Sequence, residues 1–167
     1  MEKTSNVTVS KDVNNKKITV VRDFDAPVEA VWKAWTQKEL LDQWWAPKPY
    51  KAKTRMLDFR EGGQWLYAMV GPDGDESWVC VDFFKIDAYK SFTAEDYFCN
   101  EKGERTNDLP GMFWNNVFTS TGSGSRVSVE LTFRSAEDLN KILELGFEEG
   151  YLSALGNLDE LLAGNKV

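Results

Sequence analysis

Histidine is missing from all 167 residues, and cysteine occurs only twice. Without histidine the chain supplies no Ser-His-Asp or Cys-His pair, no His-based zinc site and no histidine haem ligand. Cys80 and Cys99 are too few for a Cys-only zinc site and lack close ligand spacing. Neither a metal site nor a cofactor is expected. Basic charge is also short, with 20 Lys and Arg against 27 Asp and Glu and a net charge of −7. Nucleic-acid binding requires a basic surface that neutralises phosphates, so this balance argues against it, and against an anionic membrane surface as well. No apolar run reaches the roughly 18 residues of a membrane span, and the opening residues Met1 to Asn6 lack the apolar core of a secretory signal. The expectation is a cytoplasmic protein with no membrane insertion, in which the two thiols stay reduced unless oxidation joins them.

Aromatic residues are what the chain has in excess. Seven Trp, ten Phe and five Tyr exceed what a chain of this length needs merely to fold, and each removes roughly 150–250 Å² from water when buried. They either fill a core or line a cavity or contact surface, and the sequence leaves both open. The length fits one domain, and 42% hydrophobic with 28% charged residues is the composition of an ordinary globular chain.

Residues 1–16 are polar and without apolar period, which reads as a flexible N-terminal arm or an added edge strand, and a single domain is expected over 17–164. A strand is predicted near Ile18 to Phe24, followed by a helix capped by Asp25 with Pro27 in its first turn. Val28, Val31, Trp32 and Trp35 gather on one face of that helix. A second short helix is predicted from Thr36, with Glu39 completing a capping box, and Pro47 and Pro49 end it. Residues 51–134 read as consecutive antiparallel strands separated by glycine-rich turns. Trp65, Tyr67 and Met69 share one strand face, as do Val127, Val129, Leu131 and Phe133. The polar stretch from Cys99 to Pro110 is long enough for a lid or a plain connection. A single long helix is predicted from Ser135 to Gly164, its stripe running Leu139, Ile142, Leu143, Phe147, Tyr151, Ala154, Leu155, Leu158, Leu161 and Leu162. Gly146 and Gly150 interrupt that face, leaving room beside it or allowing close backbone packing.

The order strand, helix pair, antiparallel strands and terminal helix resembles the START-like superfamily, also called SRPBCC or helix-grip. Local strings sharpen the likeness: DAPVEAVWKAWTQKELLDQWWAP from Asp25, DFREGGQW from Asp58, GPDG from Gly71, and SAEDLNKILELGFEEGYLSALGNLDELL from Ser135. They resemble the branch related to the activator of heat shock protein 90 ATPase, over about residues 18–163. Ala46 stands where many relatives have glycine, and Tyr151 where many have tryptophan. The resemblance implies an α+β helix-grip fold in which a curved antiparallel sheet of six or seven strands wraps a long C-terminal helix. It also implies a hydrophobic cavity between sheet and helix.

The leading functional expectation is a non-catalytic module that binds a small apolar or amphipathic ligand in that cavity. The alternatives are a protein that docks on a chaperone or other protein, and a cyclase or hydrolase of START-like type. The candidate ligand-binding residues are Trp65, Tyr67, Trp78, Phe84, Trp114, Phe147 and Tyr151. Asp82, alternating with Trp78, Cys80 and Phe84, is a weak catalytic candidate if it points inward, and the pattern equally allows it to point outward.

Overall fold

Strict alternation builds the sheet. Along Lys17–Phe24 every second residue, Ile18, Val20, Arg22 and Phe24, is buried, and Ser125–Thr132 repeats the pattern with Val127, Val129 and Leu131. The two strands pair antiparallel with Val20 opposite Val129, so their apolar sides fall on the same face. The structure is a computed structural model that describes residues 7–106 and 110–164. Its elements in chain order are β1 (Val7–Asp12), β2 (Lys17–Phe24), α1 (Val28–Thr36), α2 (Lys38–Trp44), β3 (Lys51–Leu57), β4 (Gln64–Val70), β5 (Glu76–Asp87), β6 (Ser91–Cys99), β7 (Met112–Ser120), β8 (Ser125–Thr132), α3 (Ala136–Glu144) and α4 (Phe147–Gly164).

All eight strands form one antiparallel sheet in the order β1-β2-β8-β7-β6-β5-β4-β3. The helix pair α1–α2 carries the chain from one side of this sheet to its far edge, and every later strand pairs with its predecessor. Register shifts at Thr54/Met56 and Phe83/Ile86 bend β3 and β5, which lets the sheet curve around the terminal helix. The eighth strand comes from residues 7–12, which pair with β2; residues 1–6 of the expected arm lie outside the described residues.

Helix α4 lies in the hollow of the sheet because Tyr151, Ala154, Leu155, Leu158 and Leu161 recur at three- and four-residue spacing and are all buried. Polar contacts hold it in register. Arg22, only 6% exposed on the inner side of β2, is ion-paired with Asp159, and the Asn157 amide donates to the Ala46 carbonyl at 2.9 Å.

Three local expectations need correction. Pro27, not Asp25, occupies the cap position of α1, and its fixed φ of −67° suits that place. Helix α2 starts at Lys38 after Gln37 rather than at Thr36, because the Thr36 hydroxyl turns back to donate to the Trp32 carbonyl at 2.9 Å and finishes α1. The terminal segment is two helices. Ser135 caps α3 as expected, accepting from the Asp138 N–H at 3.0 Å, but α3 ends at Leu145 and Gly146 with Gly146 at φ +89°. That left-handed residue stops a helix as a C-terminal glycine does. Leu143, Phe147 and Tyr151 keep four-residue spacing across the break, so periodicity alone does not reveal it.

Candidate functional site

The concave face of the sheet is layered by residue size. At one end Phe83, Phe92 and Phe118 meet Trp32 and Phe59 in a continuous set of ring contacts with centroids 4.9–6.1 Å apart. Trp35 and the fully buried Trp44 extend this packing under the helix pair at 4.7 Å. At the other end the same strands present Met69, Val79, Phe98 and Met112, and there a cavity of about 320 Å³ opens between sheet and helices. Pro47, Pro110 and the α3–α4 break at Leu145 and Gly146 complete its wall, with Leu145 59% exposed.

Aromatic rings form the inner wall. Trp45, Trp114 and Tyr151 contact one another pairwise with centroids 5.7–6.3 Å apart. Phe147 stacks on Tyr151 at 5.5 Å, one helical turn apart, and Trp65 stacks on Tyr67 at 4.2 Å, two residues apart on β4. Trp45 is oriented by its indole N–H, which donates to the Tyr67 hydroxyl at 2.8 Å. The Trp65 indole donates to the Thr54 hydroxyl at 3.0 Å, and Thr54 in turn donates to Asp42 of α2 at 2.6 Å. The wall is therefore tied to both the helix pair and the edge strand.

One carboxylate lines the cavity among the described residues. Asp96 follows Phe92 and Ala94 on the inner side of β6 and lines both this cavity and a second void of about 30 Å³. Trp35 and Asn116 line that smaller void, and their Nε1 and Oδ1 are buried polar atoms with no hydrogen-bond partner among the described residues. Asp96 is half-buried and contributes to the cavity wall. Loss of hydration pushes its pKa up to about 7. The Trp114 indole and the Met112 backbone N–H pull it back, and neighbouring Glu95 adds to the rise. The Trp114 N–H approaches the carboxyl without meeting full hydrogen-bond geometry with any partner among the described residues. Burial also holds the Tyr67 and Tyr151 hydroxyls well above the usual phenol range, and the Tyr151 hydroxyl has no hydrogen-bond partner among the described residues.

The structure brings Tyr67, Trp114, Phe147 and Tyr151 into the cavity wall, and puts Trp65 directly behind Tyr67 on the smaller void. Trp78 and Phe84 fall elsewhere. On β5 the inward residues are Val79, Val81 and Phe83, so the alternate set of Trp78, Cys80, Asp82 and Phe84 faces away from the helices. Trp78 packs beside Leu66, Cys80, Tyr97 and Cys99 there, and Phe84 is 45% exposed. Asp82 shares that outer face, where one oxygen accepts from Gln64 at 3.0 Å and the other from the Tyr97 hydroxyl at 2.9 Å. It is a satisfied structural carboxylate, and the inward one is Asp96. Cys80 and Cys99 meet on the outer face with sulfurs 2.9 Å apart, and burial pushes the Cys80 thiol well above its ordinary range. Of the connection after Cys99, residues 107–109 lie outside the described residues; Arg105 reaches Glu95 at 3.0 Å and stacks over Tyr97.

A family model described as activator of Hsp90 ATPase homolog 1-like protein matches residues 25–163. The chain belongs to this family. Solved structures agree closely with the fold. Protein Ms6760 from Mycobacterium smegmatis is 32% identical, covers 95% of this chain and 98% of its own, and superposes with a TM-score of 0.87. A protein from Arthrobacter aurescens solved in solution is 31% identical over 96% of this chain and 93% of its own, with a TM-score of 0.90. A Staphylococcus epidermidis protein is 29% identical over 93% of each chain, with a TM-score of 0.82. No curated protein matches the sequence.

Within this activator-like scaffold, sequence reasoning missed Trp45 and Asp96. Trp45 looks like one more apolar residue of α2, and only its bond to Tyr67 distinguishes it. Asp96 carried a usable signal. Phe92, Ala94, Asp96 and Phe98 alternate in a strand, so an Asp occupies a position whose neighbours of equal parity are all apolar.

Proposed function

We propose that this member of the activator-like family is a binding module for a small, largely apolar ligand held between the sheet and α4, and that it does so without catalysis. The aromatic-walled cavity of about 320 Å³ carries this reading, since pockets of roughly 300–1,000 Å³ with mostly apolar walls and few polar groups are the usual ligand sites. Tyr67, Trp114, Phe147 and Tyr151 contact the ligand, and Trp65 holds Tyr67 in place by stacking. The walls are anchored by hydrogen bonds to separate elements, which favours a site formed before the ligand arrives.

Native mass spectrometry of the protein purified from its source, followed by tryptophan-fluorescence titration with the retained compound, tests the proposal. The expected result is a bound small molecule whose complex structure places it against those four residues. A complex with the ligand elsewhere overturns it.

The family description favours a second reading, in which the chain acts on an Hsp90-type chaperone. Stimulation of such a chaperone's ATPase, undiminished when Phe147 and Tyr151 are changed, would select that reading over the cavity.

A further inference from the structure

We propose that the cavity selects ligands bearing a protonated amine, with the ammonium group seated on Asp96 and the apolar body lying toward Met69 and Met112. The inference rests on the cavity reading and names the class of compound it takes.

Three observations carry it. First, among the described residues Asp96 is the one charged side chain in the cavity wall, and no described Lys or Arg lines it. A charge withdrawn from water is costly unless it is paired, and among the described residues no Lys or Arg lines the cavity to pair with this half-buried one. Its Arg-paired neighbour Glu95 shows the contrast, since Glu95 faces the other side of β6 and is held by Arg105 at 3.0 Å and Arg134 at 3.1 Å. Second, the ionised Asp96 carboxylate only accepts hydrogen bonds, so a ligand complementary to that form must donate. An ammonium group offers donors and a countercharge together, whereas an acid is repelled. Third, Trp45 and Trp114 line both voids together with Asp96, Tyr151 packs against both rings in the larger one, and aromatic faces attract organic cations.

The other titratable groups around the carboxyl are the Tyr67 hydroxyl from β4 and the Tyr151 hydroxyl from α4, both kept neutral by burial, and Glu95 from the outer face of β6. Ionisation of Asp96 therefore governs the charge presented to a ligand between pH 5.5 and 8.5. An amine that stays protonated across this interval binds more tightly as pH rises through about 7.

The test uses three probes of one shape, phenylbutylamine, phenylbutanol and phenylbutyrate, titrated calorimetrically into the full chain. At pH 8.5 the amine is expected to bind about tenfold or more tightly than the alcohol, with the acid weakest. At pH 5.5 the preference for amine over alcohol should collapse, and Asp96→Asn should abolish it at pH 8.5 while the variant stays folded by circular dichroism. The wild-type pH comparison decides the matter even if the variant does not fold. Equal binding of amine and alcohol at pH 8.5, or a preference indifferent to pH, overturns the amine inference and leaves the cavity reading standing. Binding of none of the three probes removes both.

Discussion

The concave face of this sheet is solid at one end and hollow at the other, although the same strands run through both. At the solid end Trp32, Trp35 and Trp44 from the helix pair fill the space above Phe83, Phe92 and Phe118. At the hollow end the helix pair has already passed, and the wall above Met69 and Met112 consists of Pro47 and the broken junction of α3 with α4. Gly146 and Gly150 put no side chain there. A Cβ added at Gly150 would meet Pro47 at 3.7 Å, an ordinary contact, so close packing does not require glycine at that position. The difference teaches that a surplus of aromatic residues in one chain can divide between stabilising a core and shaping a void, according to which helix reaches over them.

The largest effect should separate the two ends directly. Trp44→Ala, at a fully buried residue whose indole N–H also donates to the Ala34 carbonyl at 2.9 Å, is expected to cost about 3–5 kcal/mol. Phe147→Ala, on the cavity wall, should cost only about 1 kcal/mol, because the half-buried ring has less transfer free energy to lose. Urea unfolding of both variants checks the contrast. Similar losses would mean that the hollow end is energetically part of the core.

Next in size is a stability change that depends on pH. The folded pKa of Asp96 is raised to about 7 from 3.8, so protonation favours the folded state. Stability from this group is complete below pH 4 and is lost as pH rises through 7. Asp96→Asn removes the penalty and should be more stable than the wild type at pH 8 by on the order of 2–4 kcal/mol, with the gap shrinking steadily toward pH 4. Asp82→Asn, on the outer face, should show no such gain, since it weakens two good hydrogen bonds. Thermal melts at several pH values separate these outcomes, and a destabilised Asp96→Asn at pH 8 would show that the carboxylate has a partner the fold needs.

The contrast between Asp82 and Asp96 also measures what the sequence discloses. Strand alternation placed Val127, Val129 and Leu131 correctly on one inner face, because period-two patterns in a half-buried sheet have a single solution. The fold was legible for the same reason, reinforced by the family strings around Asp25 and Ser135. On β5 the pattern is ambiguous: Trp78, Cys80 and Phe84 are as apolar as Val79, Val81 and Phe83, so side-chain chemistry does not say which set faces the helices. The choice is settled by pairing with β4 and β6, where Val81 stands opposite Trp65 and Asp96. Tertiary register therefore decides that Asp82 points away and Asp96 points in. The helix break had a local cause, but Gly146 is indistinguishable from Gly150 until the backbone shows that only the former adopts positive φ.

The smallest expected effect is also the most specific to the hollow end. Tyr151 presents a hydroxyl with no hydrogen-bond partner among the described residues, on a ring stacked on Phe147 and packed against Trp45 and Trp114. Tyr151→Phe keeps those ring contacts and removes an unsatisfied polar atom, so the free protein should change by less than about 1 kcal/mol, toward greater stability. In a filled core that would be the whole consequence. Where the hydroxyl borders a ligand site, affinity for an amphipathic compound with a polar head should shift several-fold while affinity for a purely apolar one of equal size stays constant. Fluorescence titrations of wild type and variant with one compound of each kind measure that difference. If neither affinity moves, the Tyr151 hydroxyl lies outside the binding site, and the boundary between solid and hollow ends has to be drawn on the far side of α4's first two turns.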